Sequence, residues 1–135
     1  MSNMLQFELA SPERMVISKA VVMATVPSGK GTYGVLVAHA PMITTVTPGV
    51  VEVYENDDVT ITDRIFVEGG FAEVTGTRCT VLAERAVPVS QLNRQAIEAE
   101  LKAIEDDRAK TETEEDRDAI EARLTVATAK LMALD

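Results

Sequence analysis

Glycine and proline stop at position 88, and that asymmetry divides the chain. All seven glycines and all five prolines lie at or before Pro88, while the 47 residues from Val89 onward hold neither and hold nine alanines instead. Glycine tolerates positive φ and proline fixes φ while lacking an N–H, so both punctuate turns. An alanine-rich stretch free of both favours helix. Charge shifts at the same place: residues 1–84 carry 15 charged side chains and residues 85–135 carry 20. The sequence therefore predicts a β domain over 1–86 and a helical hairpin over 87–135, with the boundary within 86–90.

The first part reads as about ten short strands in an all-β sandwich. Leu5, Phe7 and Leu9 alternate with polar neighbours, the period of a half-buried strand. The valine-rich stretch 15–26 has the length of two strands. Turn signals recur at Pro27-Ser28-Gly29, Pro48-Gly49, Asn56-Asp57-Asp58, Gly69-Gly70 and Gly76. Between them, 42–47, 50–55, 59–63, 64–68, 71–75 and 77–83 read as strands. Strands at this spacing imply a sandwich or barrel. About 85 residues bury only about 60–65% of their chain surface, so such a domain gains from docking on a partner.

The second part reads as two antiparallel helices. Ser90, just after Pro88, has the side chain of an N-cap, and Ile97, Leu101 and Ile104 follow at helical spacing. The polar run 106–112 interrupts them. Thr113 with Asp116 then resembles a capping box opening a second stripe of Ile120, Leu124, Ala127, Leu131 and Leu134. That spacing makes a narrow seam for another helix.

Composition excludes several functions. The net charge of −9 comes with no cluster of Lys and Arg, which argues against nucleic acid and against an anionic membrane surface. The longest apolar runs, such as 20–24, are far short of the roughly 20 residues that cross a bilayer. Residues 1–9 lack the pattern of a signal peptide. Cys79 is the single cysteine, sits in a strand pattern, and reads as a small buried apolar residue.

No catalytic constellation emerges. His39 and Cys79 are the single histidine and cysteine, with no third group to orient them and no ligand set for zinc. Gly29-Lys30-Gly31-Thr32 lacks the P-loop spacing and reads as a hairpin turn; Gly69-Gly70 reads as a turn with positive φ. The acids of 112–118 lack a calcium-loop pattern and suit a helix start. Met4, Met15, Met23, Met42 and Met132 read as core and interface filler. No cofactor is expected.

Four ordered strings carry a resemblance: Gly34-Val35-Leu36-Val37-Ala38-His39-Ala40-Pro41-Met42, Thr47-Pro48-Gly49-Val50, Val67-Glu68-Gly69-Gly70-Phe71-Ala72-Glu73-Val74 and Val81-Leu82-Ala83-Glu84. Together they resemble the epsilon subunit of rotary, proton-translocating ATP synthases over about residues 5–86, and the hairpin has that family's length. The resemblance implies a ten-stranded sandwich with a helical hairpin, a place on the central stalk, and contacts with the gamma subunit and the c ring. It implies a non-catalytic subunit, peripheral on the cytoplasmic face of the bacterial inner membrane. Gly29, Lys30, Gly31, Thr32, Tyr33 and His39 then correspond to the ring-facing end, although His39 equally reads as a loop histidine bonded to backbone.

The departures bear on regulation. Relatives begin the hairpin near L-D-x-x-R-A, a pattern associated with nucleotide binding; here Asn93 replaces the acid and Ala96 the arginine. Losing the guanidinium fork removes the group best suited to phosphate, so weak or absent ATP binding is expected. Relatives also insert the hairpin into the catalytic alpha/beta head through basic residues. The second helix here offers Arg117, Arg123 and Lys130 against Glu114, Glu115, Asp116, Asp118, Glu121 and Asp135, so weak self-inhibition is expected. Ala38 stands where the family has glycine, which implies a less strained backbone before His39. The rival reading is a stand-alone sandwich binding module with a dimerising hairpin.

Overall fold

In the computed structural model, which describes residues 4–134, the first alternation becomes strand β1, Leu5–Ala10. Leu5, Phe7 and Leu9 are fully buried. The valine-rich stretch gives β2 (Met15–Val21) and β3 (Met23–Val26). Then follow β4 (Tyr33–Leu36), β5 (Met42–Val46), β6 (Gly49–Tyr54), β7 (Asp63–Val67), β8 (Gly70–Val74), β9 (Arg78–Ala83) and β10 (Ala86–Pro88). They form two five-stranded sheets, ordered β2-β1-β9-β8-β5 and β10-β7-β6-β3-β4. The β1–β9 pair is parallel and the others are antiparallel.

Both sheets feed one core. Leu5, Phe7 and Val81 come from the first sheet and Val35, Val53 and Val67 from the second. Each such side chain contributes about 1.5–3 kcal/mol on burial. The β7–β8 connection turns at Gly69 and Gly70, with φ of +144° and +139°, as the doubled glycine predicts. A Cβ on Gly70 would sit 2.0 Å from the Leu82 carbonyl oxygen, so glycine is obligatory there.

Two expectations need correction. The strand expected over 59–63 does not form: 59–62 lie outside both sheets, and Asp63 opens β7. The Asp57 carboxylate accepts from the Val59 and Thr60 amides at 2.9 and 2.5 Å, extending the turn and leaving Val59 79% exposed. Side-chain capture of the backbone outweighs the β propensity of Val59 and Ile61. Nor does Ser90 cap a helix: it lies in a single 3₁₀ turn, Val89–Gln91. The cap is Asn93, whose side chain accepts from the Ala96 amide at the start of α1, Arg94–Ala109. β10 straddles the 86/87 division, pairing with β7 through Pro88 at a sheet edge, where a missing N–H does no harm.

Thr113 caps α2 (Glu114–Ala133), accepting from the Asp116 amide at 3.1 Å, as the capping-box reading expects. The helices pack antiparallel on Ile104, Ile120 and Ala127, with Leu101 and Leu124 beside them. The end of α2 lies on the outer face of the second sheet, where Ala133, Val126 and Ala129 cover Phe66. Asp135, one of the hairpin acids counted above, and residues 1–3 lie outside the described residues. Among the described residues no helix is long and apolar enough to cross a membrane.

Candidate docking surfaces

The six residues singled out at the glycine-rich turn come together. Gly29, Lys30, Gly31, Thr32, Tyr33 and His39 line one open groove of about 610 Å³, with Met42, Thr44 and Thr45 on its other wall. It runs along the flank where β4 and β5, the edge strands of the two sheets, meet. Gly31, at φ +110°, lets the β3–β4 hairpin turn. The Tyr33 hydroxyl bonds the Thr44 hydroxyl, tying one sheet edge to the other. Burial pushes the Tyr33 hydroxyl pKa up, and the bond to Thr44 works against that. His39 donates from Nδ1 to the Ala40 carbonyl at 2.8 Å, as the backbone-bonded reading has it, and it also lines the groove.

The turn before His39 is more strained than expected. Ala38 has φ +71°, and among the described residues it alone is a non-glycine at positive φ. The His39 amide bonds the Leu36 carbonyl at 3.2 Å, closing a turn whose third residue is Ala38, and the Ala38 amide bonds the Gly76 carbonyl at 2.6 Å. That position belongs to glycine in a turn of this kind. Alanine is therefore strained at this position, because the turn geometry is held from outside by the β8–β9 loop.

A second surface escaped the sequence reading. On the outer face of the first sheet, Thr45, Phe71, Leu82, Ala10 and Met15 form one row across all five strands. Phe71 is 61% exposed, Leu82 58%, Met15 53% and nearby Ile43 71%. The signal was present. Phe71 and Leu82 share strand parity with Glu73 and Thr80, so each is a large apolar residue on the solvent side. The corresponding face of the second sheet lies under the hairpin.

Two of the three cations of α2 are engaged within the hairpin. Arg123 pairs with Asp107 at 3.0 Å and Lys130 with Glu100 at 3.8 Å, both across the helices, beside an Arg108–Glu121 pair at 2.9 Å. Exposed Arg117 has no ion pair among the described residues. Asn93 and Ala96, the degenerate nucleotide positions, serve the α1 cap. Cys79 is fully buried, and burial pushes its thiol up to about 11, the reverse of an activated nucleophile. No metal-binding group of His, Cys, Asp and Glu occurs among the described residues.

The family described as ATP synthase, Delta/Epsilon chain, beta-sandwich domain, matches residues 4–89. An ATP synthase epsilon chain of Rhodospirillum centenum is 46% identical over 134 residues, covering 97% of this chain and 92% of that relative. This chain belongs to the ATP synthase epsilon-chain family. The epsilon chain of Rhodospirillum rubrum is 44% identical over 133 residues, 98% of this chain and 97% of its own length. The match to epsilon chains thus takes in the hairpin, which lies beyond the residues of the sandwich family. A chain in the structure of the Euglena gracilis mitochondrial ATP synthase OSCP, F1 and c-ring has the same fold, with a TM-score of 0.87 at 20% identity. That likeness covers 100% of this chain and 84% of the other.

Proposed function

We propose that this epsilon-family chain is a central-stalk rotor subunit that couples proton flow through the c ring to ATP synthesis in the catalytic head. It binds gamma and the c ring, passes load between them, and itself makes or breaks no bond. One observation carries the reading: of the two outer faces of the sandwich, one is bare and apolar while the other lies under the chain's own hairpin. A contact that must turn with its partner as one body needs an apolar core, which suits the first-sheet face to gamma. The glycine-bearing groove of Gly29, Lys30, Gly31, Thr32, Tyr33 and His39, at the flank where β4 and β5 meet, is left for the c ring. The chain then lies peripherally on the cytoplasmic face of the bacterial inner membrane. The dimerising-hairpin reading fits less well, because the hairpin's apolar seam is filled within one chain.

Regulation by the hairpin is weak in this reading. Arg123 and Lys130 are held by acids of α1, and like charge on α2 opposes insertion into an acidic segment of the alpha/beta head. Truncation after Val89 leaves ATP hydrolysis by the assembled enzyme nearly unchanged; a large rise refutes this part. Millimolar ATP gives no clear calorimetric response with the isolated chain. The main test is co-purification: tagged chain brings down gamma and the c ring from a detergent extract of its own membranes. A stable homodimer that captures neither overturns the proposal.

A further inference from the structure

The bare face of the first sheet carries charge in a definite place. Its apolar row, Phe71, Leu82, Ala10 and Met15, spans about 14 Å, three strand spacings of about 4.8 Å. Beside that row runs a second one, Ile43, Glu73, Thr80 and Glu8, one pleat repeat away along the strands. Glu8 is neutralised by an ion pair with Arg78. Glu73 is exposed and in no ion pair among the described residues. On the opposite side of the apolar row, two residues beyond Leu82, stands Glu84, likewise exposed and in no ion pair among the described residues. Its amide still bonds the Gly69 carbonyl at 2.9 Å, so the ladder of β9 holds its direction there.

Glu73 is paired with Thr80, and Thr80 is four residues from Glu84. At about 3.3 Å per residue the two carboxylates flank Phe71 and Leu82 roughly 13 Å apart along the strands. Two unneutralised acids beside an apolar strip repel a partner that is acidic or purely apolar at its rim. They favour one with basic groups at matching places. The outward face of the second sheet differs: its Glu52 is already paired with Arg64 at 3.5 Å.

We propose that the first-sheet face docks an apolar ridge of the gamma subunit bracketed by two cationic side chains, one meeting Glu73 and the other Glu84. The inference rests on assigning this face to gamma, as above. Phe71 and Leu82 supply the affinity, and the two carboxylates fix register and speed the encounter.

The test is binding of the full chain to purified gamma subunit at about 0.02 M and about 0.5 M salt, where screening lengths differ several-fold. Wild type loses roughly tenfold in affinity between the two salts. The Glu73→Gln, Glu84→Gln double variant loses on the order of tenfold at low salt and has a flattened salt dependence. Glu73→Lys with Glu84→Lys binds more weakly still. Phe71→Ser loses affinity at both salts without a change in salt dependence. All three substituted residues are exposed, so an unchanged thermal midpoint confirms folding in each variant. A double Gln variant that binds like wild type at both salts, while Phe71→Ser fails, overturns the cation bracket and leaves the face assignment standing. Full binding by Phe71→Ser overturns the face assignment, and the bracket with it. No binding by wild type overturns both.

Discussion

The sandwich and the hairpin bury their apolar residues on different terms. The sandwich closes on itself: Leu5, Phe7 and Val81 of one sheet meet Val35, Val53 and Val67 of the other, and none needs the helices. The hairpin has a thin seam, Ile104, Ile120 and Ala127, held further by ion pairs on its surface. A further apolar patch, Ala133, Val126 and Ala129, is covered by Phe66 together with Val50, Val87 and Val89 of the sandwich side. The hairpin depends on the sandwich more than the sandwich depends on the hairpin. Isolated helices of this length are marginal in water, so the hairpin is the part that opens first.

Substitutions at the two cores test that difference. Phe7→Ala removes a fully buried ring from the sandwich and costs about 4–5 kcal/mol, with strands and helices lost together in denaturant. Survival of the strands after this change would mean that the core does not unify the sheets. Phe66→Ala costs about 3 kcal/mol, and its first effect is on the hairpin, seen as faster amide exchange in α2 while β1 and β9 stay protected. Equal loss of protection in both regions breaks the asymmetry. Ile104→Ala costs about 2–3 kcal/mol and melts the helical signal ahead of the sheet signal.

Two smaller effects lie within the sandwich. Ala38→Gly relieves a left-handed alanine and stabilises by about 1 kcal/mol, raising the thermal midpoint; no gain would mean that the turn carries no strain. Lys19 bridges the sheets by pairing with Asp63 at 2.8 Å and Glu55 at 3.1 Å. Its bond to Asp63, outweighing partial desolvation, raises its pKa above the usual 10.5. A raised folded-state pKa contributes stability that is fully present below 10.5 and is lost as pH climbs through the raised value. The pair is partly solvated, so Lys19→Met costs at most about 1 kcal/mol near neutral pH. Its deficit against wild type shrinks in strongly alkaline denaturation curves.

What could be read from the sequence follows the same division. Alternation at Leu5, Phe7 and Leu9, the doubled glycine at Gly69-Gly70 and the Thr113 cap are local signals, and each became the element it announced. The misreadings arose where one side chain decides between competing bonds. Asp57 took the amides of Val59 and Thr60 away from a strand, and Asn93 rather than Ser90 capped α1. Ala38 looked relaxed because composition alone does not reveal a turn held by the Gly76 carbonyl. The turn residues of the groove were legible because the β3–β4 hairpin joins neighbours in the chain, while His39 was grouped with them through the family resemblance. The apolar face was not, because its two halves, Ala10 with Met15 and Phe71 with Leu82, are joined only by the long-range parallel register of β1 and β9.

Reconstitution is the most direct test. Membrane vesicles stripped of their epsilon subunit and given this chain should regain ATP synthesis driven by an imposed proton gradient. A Phe71→Ser, Leu82→Ser variant with an unchanged thermal midpoint should not restore it. Equal restoration by that variant would contradict the docking face, and no restoration by the wild-type chain would contradict the coupling role itself.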